Sequence, residues 1–98
     1  MKSYAAIDRM EDGYAILEVE LHDIEESKTL SASEKRTQIV HVGLNTFPKT
    51  DETFGEGDVV LVEHECGFVV SVYGKDEEEK QRRIERIRKI RETFKYNN

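Results

Sequence analysis

The chain has 98 residues, which suits one domain and leaves no room for two. Charged and apolar residues each make up 37% and the formal charge is −6, so a uniformly basic nucleic-acid coat is excluded, because that net sign repels phosphate. The single cysteine excludes an intramolecular disulfide framework, and no run approaches the ~18–20 apolar residues of a membrane-spanning helix.

A chain of this size buries roughly 60–70% of its unfolded surface, so a small core is expected. A charge at Lys2 and another at Asp8 interrupt the start before an apolar stretch of signal-peptide length develops, and Cys66 stands alone. A soluble, cytoplasmic protein is the expectation. The net charge hides an asymmetry: residues 1–74 hold 6 bases against 15 acids, net −9, while residues 75–98 hold 9 against 6, net +3.

Tyr4 to Met10 reads as a first strand, and Glu11-Asp12-Gly13 supplies hairpin-turn chemistry because glycine accepts positive φ. Tyr14 to Leu21 alternates with period 2, placing Ala15, Leu17, Val19 and Leu21 on one face and Glu18 and Glu20 on the other. Tyr14 and Ile16 share the polar face, which predicts a cover at that end. Residues 22–37 are polar and aperiodic, and they read as a long mobile hairpin tip, with a helical turn around Ser31–Lys35 as the competing reading.

Gln38 to Leu44 resumes strand character with Val40, Val42 and Leu44 inward. The loop from Asn45 to Phe54 carries the only proline, Pro48, and offers Phe47 and Phe54 as plugs for the end of a barrel. Gly55-Glu56-Gly57-Asp58 leads into Val59-Val60-Leu61-Val62-Glu63, apolar on both faces and therefore expected to be central. Glu65-Cys66-Gly67 is the next turn, and Phe68 to Tyr73 is a fifth strand. Five short strands with tight turns predict a curled antiparallel sheet whose closure removes exposed edges.

After Gly74 the period changes. Asp76 with Glu79 is a capping-box pattern, and a helix is expected from there to about Lys95. Ile84, Ile87, Ile90 and Phe94 fall on one apolar stripe. Glu78–Arg82, Glu79–Arg83 and Glu85–Lys89 are i,i+4 pairs in the favourable order.

Ile7-Asp8-Arg9-Met10-Glu11 followed by Tyr14-Ala15-Ile16-Leu17, with Phe47-Pro48, Glu56-Gly57-Asp58-Val59-Val60 and a closing Arg/Lys/Ile helix, resembles a small bacterial family. That family is catalogued as a domain of unknown function, number three-thousand-and-six. Two features depart from its pattern: residues 22–37 are longer than the usual connection, and Phe47-Pro48 stands where Leu-Pro is commoner. Some members look like appendages to metallo-hydrolase domains linked with DNA uptake, so the resemblance implies an accessory role and transfers no activity.

No residue pattern demands catalysis. His64 and Cys66 are two apart, which gives two soft donors on one side of a strand, but a structural metal site needs four ligands and His22 and His41 are isolated in sequence. Glu63 and Glu65 beside Cys66 raise a thiol pKa rather than activate it. Gly55-x-Gly57 precedes a strand and lacks the helix N-terminus of a phosphate loop. Asp8, Glu11 and Asp12 cluster at a turn, where backbone preference alone accounts for such residues.

The helix is the strongest functional feature. From Lys80 to Lys95 it carries eight bases against Glu85 and Glu92, net +6. Arg82, Arg86 and Lys89 lie opposite the apolar stripe and form a basic ridge. Arg83 and Arg91 border the stripe and are expected to pair with acids such as Glu18 or Glu20.

The sequence therefore predicts a mainly β, α+β single domain over residues 1–98. Its body, residues 1–74, is a small five-stranded antiparallel barrel of SH3/OB-like type with the loop 22–37, and residues 75–98 form an amphipathic helix. The expected role is a non-enzymatic binding or adaptor module acting on an unknown protein partner through Arg82, Arg86 and Lys89, without cofactor, metal or membrane. The alternative is a nucleic-acid module using the same ridge for phosphate and Tyr4, Tyr14 or Tyr73 for stacking. A monomer with the stripe docked on its own body is favoured over a helix-mediated dimer.

Overall fold

A computed structural model describes residues 1–96, with side chains described as far as Thr93. Five strands, β1 (Lys2–Glu11), β2 (Tyr14–Glu20), β3 (Thr37–Gly43), β4 (Val59–Glu65) and β5 (Phe68–Lys75), form one antiparallel sheet in the order β3-β2-β1-β4-β5. The sheet curls into a half-barrel, and a 20-residue helix, α2 (Glu77–Tyr96), follows β5 directly.

Alternation decides which face is buried. Ala5 and Ile7 of β1, Ala15, Leu17 and Val19 of β2, Val42 of β3, Val60 and Val62 of β4 and Val72 of β5 all point into the concavity. Phe47 caps this core with Phe54 set edge-on against it, ring centres 5.0 Å apart, so the two aromatics do plug one end. The strand that reads as apolar on both faces, β4, is held between β1 and β5. Asp8 is an extra residue between the Ile7↔Leu17 and Arg9↔Ile16 pairs, a bulge that sharpens the curl. Ile16, on the outer face, is buried in register between Arg9 and His41.

Four expectations are corrected. Residues 22–37 are not a plain hairpin tip: they hold the short helix α1 (Ile24–Ser27), which is not expected from the sequence, and a 3₁₀ turn over Ala32–Glu34, where the competing reading places a helical turn. Asp23 caps α1 by accepting from the Glu26 N–H at 2.7 Å, and Ser31 with Glu34 forms a capping box at the 3₁₀ turn. Leu44 does not face inward but sits exposed in a 3₁₀ turn, Leu44–Thr46.

The sheet does not remove its edges either. β3 and β5 converge, with Gly67 so close to β3 that a Cβ there would fall 2.5 Å from Gln38 Oε1, yet the two strands make no ladder.

The fourth correction concerns the helix. Its apolar stripe is not docked on its own body: Ile84, Ile87 and Ile90 are 47%, 52% and 56% exposed. Only the first two turns are fixed, through Glu79, Lys80 and Arg83, and the rest stands clear, giving the molecule its 47 × 25 × 20 Å extents. Charged side chains, not apolar ones, make the anchor, which periodicity alone does not reveal. Phe94, expected to complete the stripe, has its side chain outside the described residues. No helix among the described residues is long and apolar enough to cross a membrane.

Candidate functional site: the groove between helix and loop

The site is built where α2 leaves the sheet. The Asp76 carboxylate accepts from the Glu79 N–H at 2.9 Å, so half of the expected capping box is present. The other half is not, because Glu79 turns its carboxylate to arginines instead. Arg82 Nε donates to it at 3.0 Å and Arg83 Nε at 3.2 Å. Burial opposes ionisation of Glu79, but these two guanidinium groups outweigh it and hold the carboxyl below the usual carboxylate range.

Arg83 then reaches across the sheet. Its Nη2 donates to Glu20 Oε2 at 2.5 Å, and its guanidinium lies 5.5 Å from the centre of the Tyr4 ring. Glu20 also accepts from the Ser27 hydroxyl and lies 3.7 Å from Lys35 Nζ. One buried carboxylate thus ties together β2, α1, the loop and α2. The expected pairing of Arg83 with Glu20 is present, whereas Arg91 makes no ion pair among the described residues. Lys80 adds a second tether, donating to Asp58 Oδ1 at 2.8 Å. Burial works against ionised Asp58, yet the Lys80 contact, the Gly55 N–H and nearby Lys75 hold its carboxyl low.

These tethers leave a groove of about 740 Å³ between the start of α2 and the loop 22–37. Tyr4 and Leu30 line its apolar part, Lys28 and Lys35 the loop side, and Arg82 and Arg86 the helix side, where Asp76, Glu78 and Glu79 also face it. Burial, with Asp76 and Glu79 nearby, raises the pKa of the Tyr4 phenol above its ordinary value.

The predicted ridge is therefore divided. Arg82 is spoken for by Glu79 and sits 3.8 Å from Glu78. Arg86 is held only at 3.8 Å from Glu79, and Lys89 has no ion pair among the described residues. Arg88 pairs with Glu85 at 2.6 Å, taking the acid that the i,i+4 rule assigns to Lys89.

The other candidates separate. His64 is buried and Cys66 is exposed in the turn with φ 53°, so the two do not form a donor pair. Asp8, Glu11 and Asp12 are exposed, with Arg9 3.6 Å from Glu11, and no group of three or more potential ligands converges among the described residues. Of the proposed stacking tyrosines, Tyr4 is buried, Tyr14 is already stacked on His41 at 5.3 Å, and Tyr73 lies beneath Lys2 at 4.8 Å.

Sequence reading misses one buried chain. Ser3 Oγ lies 2.8 Å from His64 Nε2 and 2.6 Å from the His22 carbonyl. The Gly67 N–H donates to His64 Nδ1 at 2.9 Å, so the ring proton is on Nε2 and is given to Ser3, whose own proton goes to His22 O. A serine beside a histidine suggests a nucleophile and its base, but here the histidine is the donor and the serine is fully buried, so the pair braces the fold. Burial, reinforced by the positive N-terminus, lowers the His64 pKa. The same logic gives His22 its tautomer: Nε2 accepts from the Arg36 N–H at 2.9 Å and Nδ1 donates to Glu26 at 2.7 Å. The contacts of Ser3 with His22 and His64 span 19 and 61 residues, so no local spacing signals them.

In comparisons with known proteins, no family model, no curated protein and no solved structure matches this chain. The geometry itself defines the class: a five-stranded half-barrel with a projecting basic helix.

Proposed function

We propose that the protein is a small non-enzymatic binding module that engages a protein partner in the groove between α2 and the loop 22–37. The observation that carries this reading is the meeting of the two surfaces that the sequence marks, the arginine ridge and the loop, across one cleft. Lys28, 3.8 Å from Glu25, and Arg86, 3.8 Å from Glu79, are loosely held cations on opposite walls, above Tyr4 and Leu30. That combination suits a partner segment with an acidic side chain beside an apolar one. The reading agrees with the accessory role that the family resemblance implies and with action in the cytoplasm.

Retention from a lysate by the immobilised protein tests it, with Lys28→Glu and Arg86→Glu as controls. The expected result is a protein held by the wild type and lost by both variants, while identical retained sets count against the groove. Binding of nucleic acid through Arg82, Arg86 and Lys89 draws on less, since Arg82 and Arg88 are engaged by glutamates and, of the three tyrosines named for stacking, Tyr4 is buried and Tyr14 is already stacked on His41. A gel shift at low salt that vanishes steeply as salt rises is the outcome that would favour it.

A further inference from the structure

A different part of the molecule carries a second inference, independent of the groove. Two apolar surfaces of this chain are left uncovered. One is the stripe Ile84, Ile87 and Ile90 on the free part of α2. The other is the edge strand β5, where Phe68, Val70 and Tyr73 are 76%, 54% and 51% exposed. Bulges at Val70 and Tyr73 interrupt this eight-residue edge, but its exposed apolar side chains remain a pairing hazard of the kind that proteins commonly cover with a helix. The chain's own helix does not serve: Arg83 is fastened to Glu20 on β2, three strands away from β5 in the sheet order.

We infer that the isoleucine stripe of α2 packs on β5 of a second copy, and that the second copy returns the contact in a two-fold exchange. Charge selects this arrangement over helix against helix. Residues 84–93 carry four bases against two acids, so two such helices face one another with like sign, whereas the body at residues 1–74 is net −9. Near β5 the acids are Glu52, Glu63 and Glu65, of which Glu63 is paired with the N-terminal ammonium at 2.6 Å, and the bases are Lys2 over the Tyr73 ring and Lys75 at the end of the strand, which Asp58 and Glu77 hold. An exchange of this kind is isologous and closes, so it covers both edges and both stripes without building a fibre.

Sedimentation equilibrium of the full chain over a concentration series tests it. The wild type is expected to dimerise at low salt and to weaken at about 1 M salt, where the screening length shortens to roughly 3 Å. Ile87→Asp and Phe68→Asp are each expected to raise the dissociation constant at least about tenfold. Both positions are exposed in the monomer, so both variants should melt as the wild type does at concentrations low enough that the wild type is itself monomeric. Mixing the two variants is the decisive arm: one supplies an intact β5 and the other an intact stripe, so the mixture regains one of its two contacts and associates more tightly than either alone. A wild type that stays monomeric overturns the inference. So does dissociation by Ile87→Asp without any effect of Phe68→Asp, which marks a helix pair, and so does a mixture no tighter than its components. If either Asp variant melts early, Ile87→Ser and Phe68→Ser carry the same comparison.

Discussion

Replacing Arg83 by methionine tests the claim that charge, not apolar packing, fastens α2. The substitution keeps a long aliphatic chain over Tyr4 but removes the guanidinium that sits 2.5 Å from Glu20 and 3.2 Å from Glu79. Breaking a buried pair by deleting one partner costs about 3–5 kcal/mol, because an uncompensated charge is left behind. Here the cost is smaller. Arg83 is a quarter exposed, Glu20 retains Ser27 and Lys35, and Glu79 retains Arg82. A loss of about 2 kcal/mol is the expected figure, which corresponds to a fall in melting temperature of roughly 8–16 °C for a domain of this size. In urea the midpoint should drop by roughly 1 M. Circular dichroism at 222 nm reports the helix directly, and the double variant Glu20→Met/Arg83→Met should lose less than the two single losses add up to, because the Arg83–Glu20 pair is counted in both, although Lys35 and the Ser27 hydroxyl then lose their Glu20 partner. A fall of less than about 2 °C, or a double variant no more stable than the sum of the single losses predicts, would refute the coupling.

Four further outcomes follow from the same geometry. Ser3→Ala strands both the His64 Nε2–H and the His22 carbonyl, and thermal unfolding should show a loss of about 2–4 kcal/mol; a loss below about 1 kcal/mol would mean that neither group depends on the hydroxyl. The His64 pKa is lowered in the fold, so the unfolded chain binds the extra proton. Stability is therefore complete above about pH 6.5 and falls as the pH drops below it, a step that His64→Gln should abolish in a melting-temperature profile. The depressed carboxyls of Glu79 and Asp58 contribute stability above about pH 4–4.5 that is lost as the pH falls through their lowered values, so the same profile should show a second, more acidic step that Asp58→Asn reduces. Gly67 has φ 86° and no room beside Gln38, so Gly67→Ala should cost about 1–2 kcal/mol by urea unfolding, while Gly13→Ala, equally left-handed but in open space, should cost less.

The sheet was legible in the sequence wherever one short-range pattern was sufficient. The alternation of Ala15, Leu17 and Val19, the doubly apolar run from Val59 to Val62, and Asp76 followed three residues later by Glu79 each point to an element that the structure contains. The groove was legible in half: the ridge and the loop could be named, but not their meeting. That depends on Glu20, which local alternation assigns to a solvated face and which the fold buries beneath Ser27, Lys35 and Arg83. The stripe misled for a related reason. Period 3.6 shows that Ile84, Ile87 and Ile90 share a face, but whether that face meets the body depends on the angle at which Glu79 and Arg83 fix the first turns. Side-chain chains such as Ser3–His64 leave no periodic trace, because their members stand 61 residues apart.

The place of β1 in the middle of the sheet governs the order of assembly. Ala5 pairs with Val19 on one side and with Val60 on the other. The first ladder closes a short hairpin and can form while the rest of the chain is still being made, but the second waits for a strand that is synthesised much later, after the loop 22–37 and the Phe47–Phe54 crossing. Until then one side of the first strand is an open template. Long-range pairing of this kind slows folding relative to a meander of the same length, so the rate-limiting event should be the arrival of β4 rather than the formation of any turn.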